Sequence, residues 1–195
     1  MPMPVTTPLD TDPKRARLRT IIAAKSFGQG AEITLASGKK SNFYFNMKPT
    51  MLDPEGASLI GELILECARA QKPDLVGGLE LGAIPIACAV AMASHLRGAP
   101  VPAFIVRKQP KEHGTKQRIE GFAPGDGLAG KNVLMVEDVT TTGGSILDAI
   151  KVVREAGGNV TCAITVVDRL EGAADALAAE GVQLIALLST KDFLG

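Results

Sequence analysis

The sequence lacks the CxxC spacings that mark metal and redox centres. Its three cysteines, Cys67, Cys88 and Cys162, are widely separated and lie in apolar patterns, which predicts buried thiols. There is no excess of either charge, since Lys plus Arg and Asp plus Glu each total 21; no global basic field marks a nucleic-acid binder, and no nucleic-acid partner is expected. No apolar run reaches the length of a bilayer span, and the opening MPMPVTTPLD has neither a basic region nor an apolar core. A cytoplasmic protein with no membrane partner is therefore expected. Internal repeats, low-complexity blocks and an interdomain linker are absent too. So are the P-loop string GxxxxGK followed by Ser or Thr and the dinucleotide string GxGxxG.

What is present is an α/β pattern on a chain of 195 residues, a length that suits a single domain spanning residues 1–195 with one sizeable core. Residues 1–12 carry three prolines and predict a loose arm. Residues 13–26 read as a helix, and residues 31–46 as two short strands around a Ser-Gly-Lys-Lys-Ser turn lying outside the main pattern. Asp53-Pro54-Glu55 is a helix start, with Leu59, Ile60, Leu63, Ile64 and Cys67 at core spacing. Strands are expected at 74–79, 101–107, 133–136, 159–167 and 182–188, with helices after most of them and a last helical turn in STKDFLG. The polar stretch 108–130 is long enough to require a function, and residues 117–122 within it form a candidate strand. Strands alternating with helices imply a mainly parallel sheet covered on both faces.

The richest stretch is 133–145, VLMVEDVTTTGGS. An apolar run meets two acids, Glu137 and Asp138, and then Val139, Thr140, Thr141, Thr142, Gly143, Gly144 and Ser145 lead into a helical pattern near Ile146. The expected order is buried strand, polar loop, helix, with the loop at the carboxyl end of a parallel strand where open α/β sheets bind ligands. Paired glycines let the backbone approach a ligand, and the unpaired amides of a helix start favour a phosphate. The two carboxylates suit ribose hydroxyls, directly or with help from Mg²⁺. On residue types alone, an ordinary strand–loop–helix connection with capping threonines and exposed acids remains open.

The string itself resembles the phosphoribosyl diphosphate (PRPP) motif of type I phosphoribosyltransferases. A second segment fits a substrate that loses pyrophosphate. RKQPKEHGT, at 107–115, packs Arg107, Lys108, Lys111 and His113 into seven positions beside Gly114; alone it could be a solvated charged loop. Beside a PRPP site, its cations could stabilise the departing pyrophosphate, and a closing loop would exclude water. RKxxKxHG resembles the catalytic loop of the orotate phosphoribosyltransferase family. SGKKSNFYFN, GLELGAIPIA, VVDR at 166–169 and STKDFL resemble further segments of that family, in its order.

The resemblance implies a type I phosphoribosyltransferase fold with a small N-terminal hood, and transfer of the phosphoribosyl group from PRPP to orotate. It implies Mg²⁺ bound mainly through PRPP, and a homodimer in which Lys108, Lys111 and His113 act in the neighbouring site while Arg107 stays near its own strand. The phosphate would lie on Thr140 to Ser145 and the ribose on Glu137 and Asp138. Tyr44, Phe45, Thr141 and Arg169 would hold orotate. Catalysis would fall to Lys108, Lys111, His113 and Asp138. Lysines found in some members are replaced here by Ala36 and Gly82, and Glu80 is an unexpected acid beside an anionic ligand. His95 is expected to be structural or solvated. Two alternatives remain: a phosphoribosyltransferase for another base, and an RNA-binding regulator on the same fold, against which the neutral charge and the RKxxKxHG loop both argue.

Overall fold

A computed structural model describes residues 12–34, 40–109 and 118–194. Helix α1 (Pro13–Lys25) leads into a hairpin of β1 (Phe27–Thr34) and β2 (Lys40–Phe45), then helices α2 (Lys48–Met51) and α3 (Pro54–Cys67). There follow β3 (Leu75–Leu79), α4 (Ala83–Leu96), β4 (Ala103–Val106), the two-residue β5 (Ile119–Glu120) and β6 (Asn132–Thr140). The chain closes with α5 (Gly144–Glu155), β7 (Asn159–Asp168), α6 (Ala173–Ala179), β8 (Gln183–Ser189) and α7 (Lys191–Leu194). Residues 1–11 of the arm expected at 1–12, residues 35–39 with Ala36, and the loop positions Lys111 and His113 lie outside the described residues.

Local chemistry sets the boundaries. Asp12 caps α1 by accepting from the Lys14 amide, and Asp53 caps α3 by accepting from the amides of Glu55 and Gly56. Proline follows each cap, where its missing N–H costs nothing. β4 is shorter than the expected 101–107, because Pro102 has no N–H to give the ladder and pairing begins at Ala103.

Six strands form the main sheet in the order β5-β4-β3-β6-β7-β8, parallel throughout except for the antiparallel β5 at the edge. The hairpin β1–β2 is a separate two-stranded sheet, as the sequence pattern predicts. Side chains of the central strands alternate between two cores. Val76, Leu134, Val136 and Ile164 pack with Leu18, Ile60, Leu63, Ile64, Ile86 and Val90 from α1, α3 and α4. Leu75, Val133, Met135 and Ala163 pack on the other side with Ile146, Ile150 and Val153 of α5 and Leu177 of α6. Each such fully buried aliphatic side chain contributes roughly 1.5–3 kcal/mol relative to exposure.

The chain leaves β3 for β4 on one side and returns to β6 on the other. Their adjacent carboxyl ends are therefore a topological switch point, the crevice in which open α/β sheets bind ligands.

Two expectations change. The acids 137 and 138 belong to strand β6, which continues to Thr140 before the loop begins, because its ladder with β7 runs on to the pair Thr140 and Asp168. The three thiols also differ. Cys162 is buried and Cys67 partly so, with burial pushing both up to about 11, but Cys88 is exposed on the outer face of α4. Helical spacing turns Ala87 and Val90 inward, and Cys88 points away. His95 is exposed in the last turn of α4. Among the described residues, no helix is long and apolar enough to cross a membrane.

Candidate active site

Two adjoining cavities occupy the switch point. One, of about 210 Å³, is lined by Glu137, Val139, Thr140, Thr141, Thr142, Gly143, Gly144, Ser145 and Ile146. The other, of about 520 Å³, is lined in part by Glu80, Gly82, Lys108, Asp138 and Lys48, and shares Glu137, Val139 and Ser145 with the first. A larger cavity of about 710 Å³ lies at the sheet edge, between residues 118–129 and Val152 of α5 with Ala156 just past its end. It contains none of the expected site residues.

The smaller cavity is an anion cradle. Gly143, the N-cap of α5, has φ 87°, a left-handed conformation that glycine adopts without steric cost, and no side chain caps the helix. The first amides of α5 are thus left for a ligand, with the positive end of the helix dipole behind them. Exposed Thr142 and Ser145 and half-buried Thr141 supply hydroxyls at its rim. Thr140 differs from the expectation that its hydroxyl faces the phosphate. It is buried, and its hydroxyl donates to Asp168 Oδ1 at 3.1 Å, because the β6–β7 register sets the two side by side.

Glu137 is 7% exposed. Burial first, and the neighbouring Asp138 second, hold its carboxyl well above the usual carboxylate range, with the Lys108 ammonium close enough to oppose the shift. Asp138 accepts from its neighbour's amide, Val139 N to Oδ1 at 2.9 Å. The missing lysine at position 82 now has a physical reason. A Cβ built on Gly82 would lie 2.6 Å from Asp138 Oδ1 and 2.7 Å from its Cγ, so a side chain there would displace the acid. The Glu80–Leu81 peptide just before it is cis. The acids that line the cavity are hard oxygen donors suited to Mg²⁺, although no group of three or more His, Cys, Asp or Glu is gathered as a metal centre among the described residues.

On the basic side, Lys108 is exposed and lines the 520 Å³ cavity. Arg107 does not line it. Its guanidinium donates from Nη1 to Glu120 Oε1 at 3.0 Å, towards the sheet edge rather than the ligand crevice.

Arg169 follows β7 and is 7% exposed. It donates from Nε to Glu171 at 2.8 Å and from Nη2 to Ser41 Oγ at 3.1 Å, and its guanidinium lies 4.4 Å from the ring centroid of Phe43. Arg169 therefore ties the hairpin to the end of β7. Strand alternation sorts the hairpin aromatics: Phe43 and Phe45 face inward, with Phe45 against Phe27 and Phe193 at 5.1 Å each, whereas Tyr44 is exposed on the opposite face across from Gly28. Tyr44 and Phe45, paired in the sequence expectation, are thus on different faces. Ser41, Phe43, Asp168 and Glu171 escaped the sequence reading. Period-two alternation in β2 was the available signal for Ser41 and Phe43.

Comparison with known proteins matches this geometry. The phosphoribosyl transferase domain family matches residues 50–185. An orotate phosphoribosyltransferase of Rhodopseudomonas palustris (strain TIE-1) is 56% identical over 180 residues, covering 92% of this chain and 96% of the relative. The crystal structure of Mycobacterium tuberculosis orotate phosphoribosyltransferase in complex with Fe(III) dicitrate aligns with TM-score 0.79 and 39% identity, over 92% of this chain and 98% of that one. The same enzyme in complex with PRPP aligns with TM-score 0.75 and 37% identity, at 92% and 98% coverage. An acid pair within a buried strand, a glycine-started helix behind an anion cradle and this extent of identity lead to one conclusion: the chain belongs to the orotate phosphoribosyltransferase family of phosphoribosyltransferases.

Proposed function

We propose that this chain transfers the 5-phosphoribosyl group of PRPP to orotate, giving orotidine 5′-monophosphate and pyrophosphate in de novo pyrimidine biosynthesis. The whole chain works as one catalytic domain in the cytoplasm. The observation that carries the reading is the convergence, at the β3–β6 switch point, of an uncapped helix start, an acid pair and a lysine around two joined cavities.

The 5′-phosphate sits on the α5 amides with Thr141, Thr142, Gly143, Gly144 and Ser145, and Thr140 shapes the cradle from beneath. Glu137 and Asp138 hold the ribose hydroxyls. Burial and the neighbouring Asp138 push the Glu137 carboxyl up. Positive charge growing on the sugar then offsets the cost of holding the two acids side by side. As the bond from C1′ to the diphosphate oxygen breaks, pyrophosphate leaves with the electron pair and the orotate ring nitrogen bonds to C1′, its proton being released to the solvent. Lys108, which lines its own chain's cavity rather than reaching across, stabilises that leaving group together with the partner subunit's Lys111 and the partner subunit's His113. Arg107 acts from its own strand, where its charge adds to the field without touching the cavity. Orotate lies against the hairpin segment that carries Tyr44 and Phe45, with Thr141 beside it and its carboxylate on Arg169.

Mg²⁺, bound mainly through PRPP, would neutralise diphosphate charge beside the acids that line the cavity. The working unit is a homodimer whose basic loops reach the neighbouring site. One face of α4 supports it: Cys88, Met92 and Leu96 recur every fourth residue and are exposed, with Met92 at 58% and Leu96 at 77%. An apolar stripe of this kind is normally covered.

A panel of bases tests the reading. Orotate should be consumed with PRPP, while adenine, guanine, hypoxanthine and uracil should not. Faster turnover of any of these than of orotate would reassign the substrate.

A further inference from the structure

Glu80 directly follows β3 and Lys108 lies two residues beyond the end of β4, and the register that pairs Leu79 with Val106 runs the two segments side by side as they leave the sheet. The Glu80 amide donates to the Val106 carbonyl at 2.8 Å, extending the ladder by one bond. Its carboxylate then accepts from the Lys108 amide, N to Oε1 at 2.9 Å. Lys108 lies beyond the end of β4, so this side chain stands in for the strand that is no longer there. From the opposite edge, Arg118 closes on the intervening residue. The Arg107 amide donates to the Arg118 carbonyl at 2.7 Å, and Arg118 Nε donates to the Arg107 carbonyl at 2.9 Å. The start of the basic segment is thus gripped from both sides, and the Lys108 side chain lines the cavity shared by Glu80, Glu137 and Asp138.

We propose that Glu80 is a positioning residue: its carboxylate fixes the Lys108 backbone and so sets the direction from which the Lys108 ammonium enters the pyrophosphate side of the site. An acid beside an anionic ligand is then no contradiction, since one of its oxygens is engaged by a backbone amide. The proposal rests on the phosphoribosyl-transfer reading for its kinetic consequence, while the contact itself is independent of that reading.

The test compares Glu80→Ala, Glu80→Gln, Lys108→Ala and the Glu80→Ala/Lys108→Ala double variant in steady-state turnover of orotate and PRPP, alongside amide hydrogen exchange at Lys108. Loss of a charge-assisted hydrogen bond should lower kcat roughly tenfold in Glu80→Ala, leave the thermal midpoint in place and speed Lys108 exchange by about as much. Gln keeps an acceptor oxygen and should restore most of both. On the Lys108→Ala background, Glu80→Ala should cost nothing further. Equal damage from Gln and Ala, additive losses in the double variant, or unchanged Lys108 exchange would each overturn the proposal. Should the wild type fail to convert orotate, the functional reading falls, and the exchange comparison alone decides the role of Glu80.

Discussion

Asp138 occupies the space where a side chain at residue 82 would begin, 2.6 Å from the Cβ that Gly82 does not have. Gly82→Ala should therefore push the Asp138 carboxylate off its place without disturbing the core. Asp138 is at the end of a flexible side chain, so the fold should keep its thermal midpoint while kcat/KM for PRPP falls about tenfold, a change of roughly 1.4 kcal/mol. Steady-state kinetics beside a melting curve checks it. A full-rate Gly82→Ala would separate Asp138 from the ribose.

Glu137 should trade stability for function. Its folded pKa is raised by burial and by Asp138, so the proton-bound form is the one the native state favours. The associated stability is present below the ordinary value of 4.5 and is lost as pH rises through the folded value. Glu137→Gln removes that loss. It should melt higher than wild type at about pH 8, with the advantage shrinking towards about pH 4, and turn over more slowly at every pH. Parallel melting curves across pH decide it; an advantage that grows on acidification would contradict the burial argument.

Arg169→Ala should raise the KM for orotate by roughly ten- to a hundredfold, the worth of a charged hydrogen-bonded partner, and change the KM for PRPP much less. Arg169→Lys should recover little, because lysine lacks the planar fork that meets Ser41 and the Phe43 ring together. Equal losses for both substrates would place Arg169 in the scaffold alone.

Much of this site could be read from the residues, and the reasons for the misses are physical. The run 133–136 and the Gly143–Gly144 pair announce a buried strand and a tight helix start, because burial and positive φ leave marks on composition. The end of β6 is less legible. Glu137 and Asp138 look like loop residues, and only the ladder to β7 keeps them in the strand. The roles of Thr140, Arg107 and Glu80 depend on partners 28, 13 and 28 positions away, namely Asp168, Glu120 and Lys108. Such pairings follow from sheet register, which a local pattern does not contain. Cys88 shows the complementary case: a helix apolar on every side gives no clue to which face stays uncovered.

Charge placed on that face should split the assembly. Met92→Asp should give a monomer by sedimentation with the fold intact and turnover much reduced, since each site would lose the partner's basic loop. Mixing Lys111→Ala with Asp138→Asn, each inactive alone, should recover activity through the heterodimer that carries one intact site. Proven heterodimers without recovery would mean that the loop acts in its own chain.

The most direct measurement incubates the protein with orotate, PRPP and Mg²⁺ and follows three quantities at once: orotate consumed, orotidine 5′-monophosphate formed and pyrophosphate released. The expected result is one nucleotide and one pyrophosphate for each orotate lost, with turnover abolished by chelating the metal. Pyrophosphate release without nucleotide, or nucleotide formed from another base while orotate persists, would contradict it.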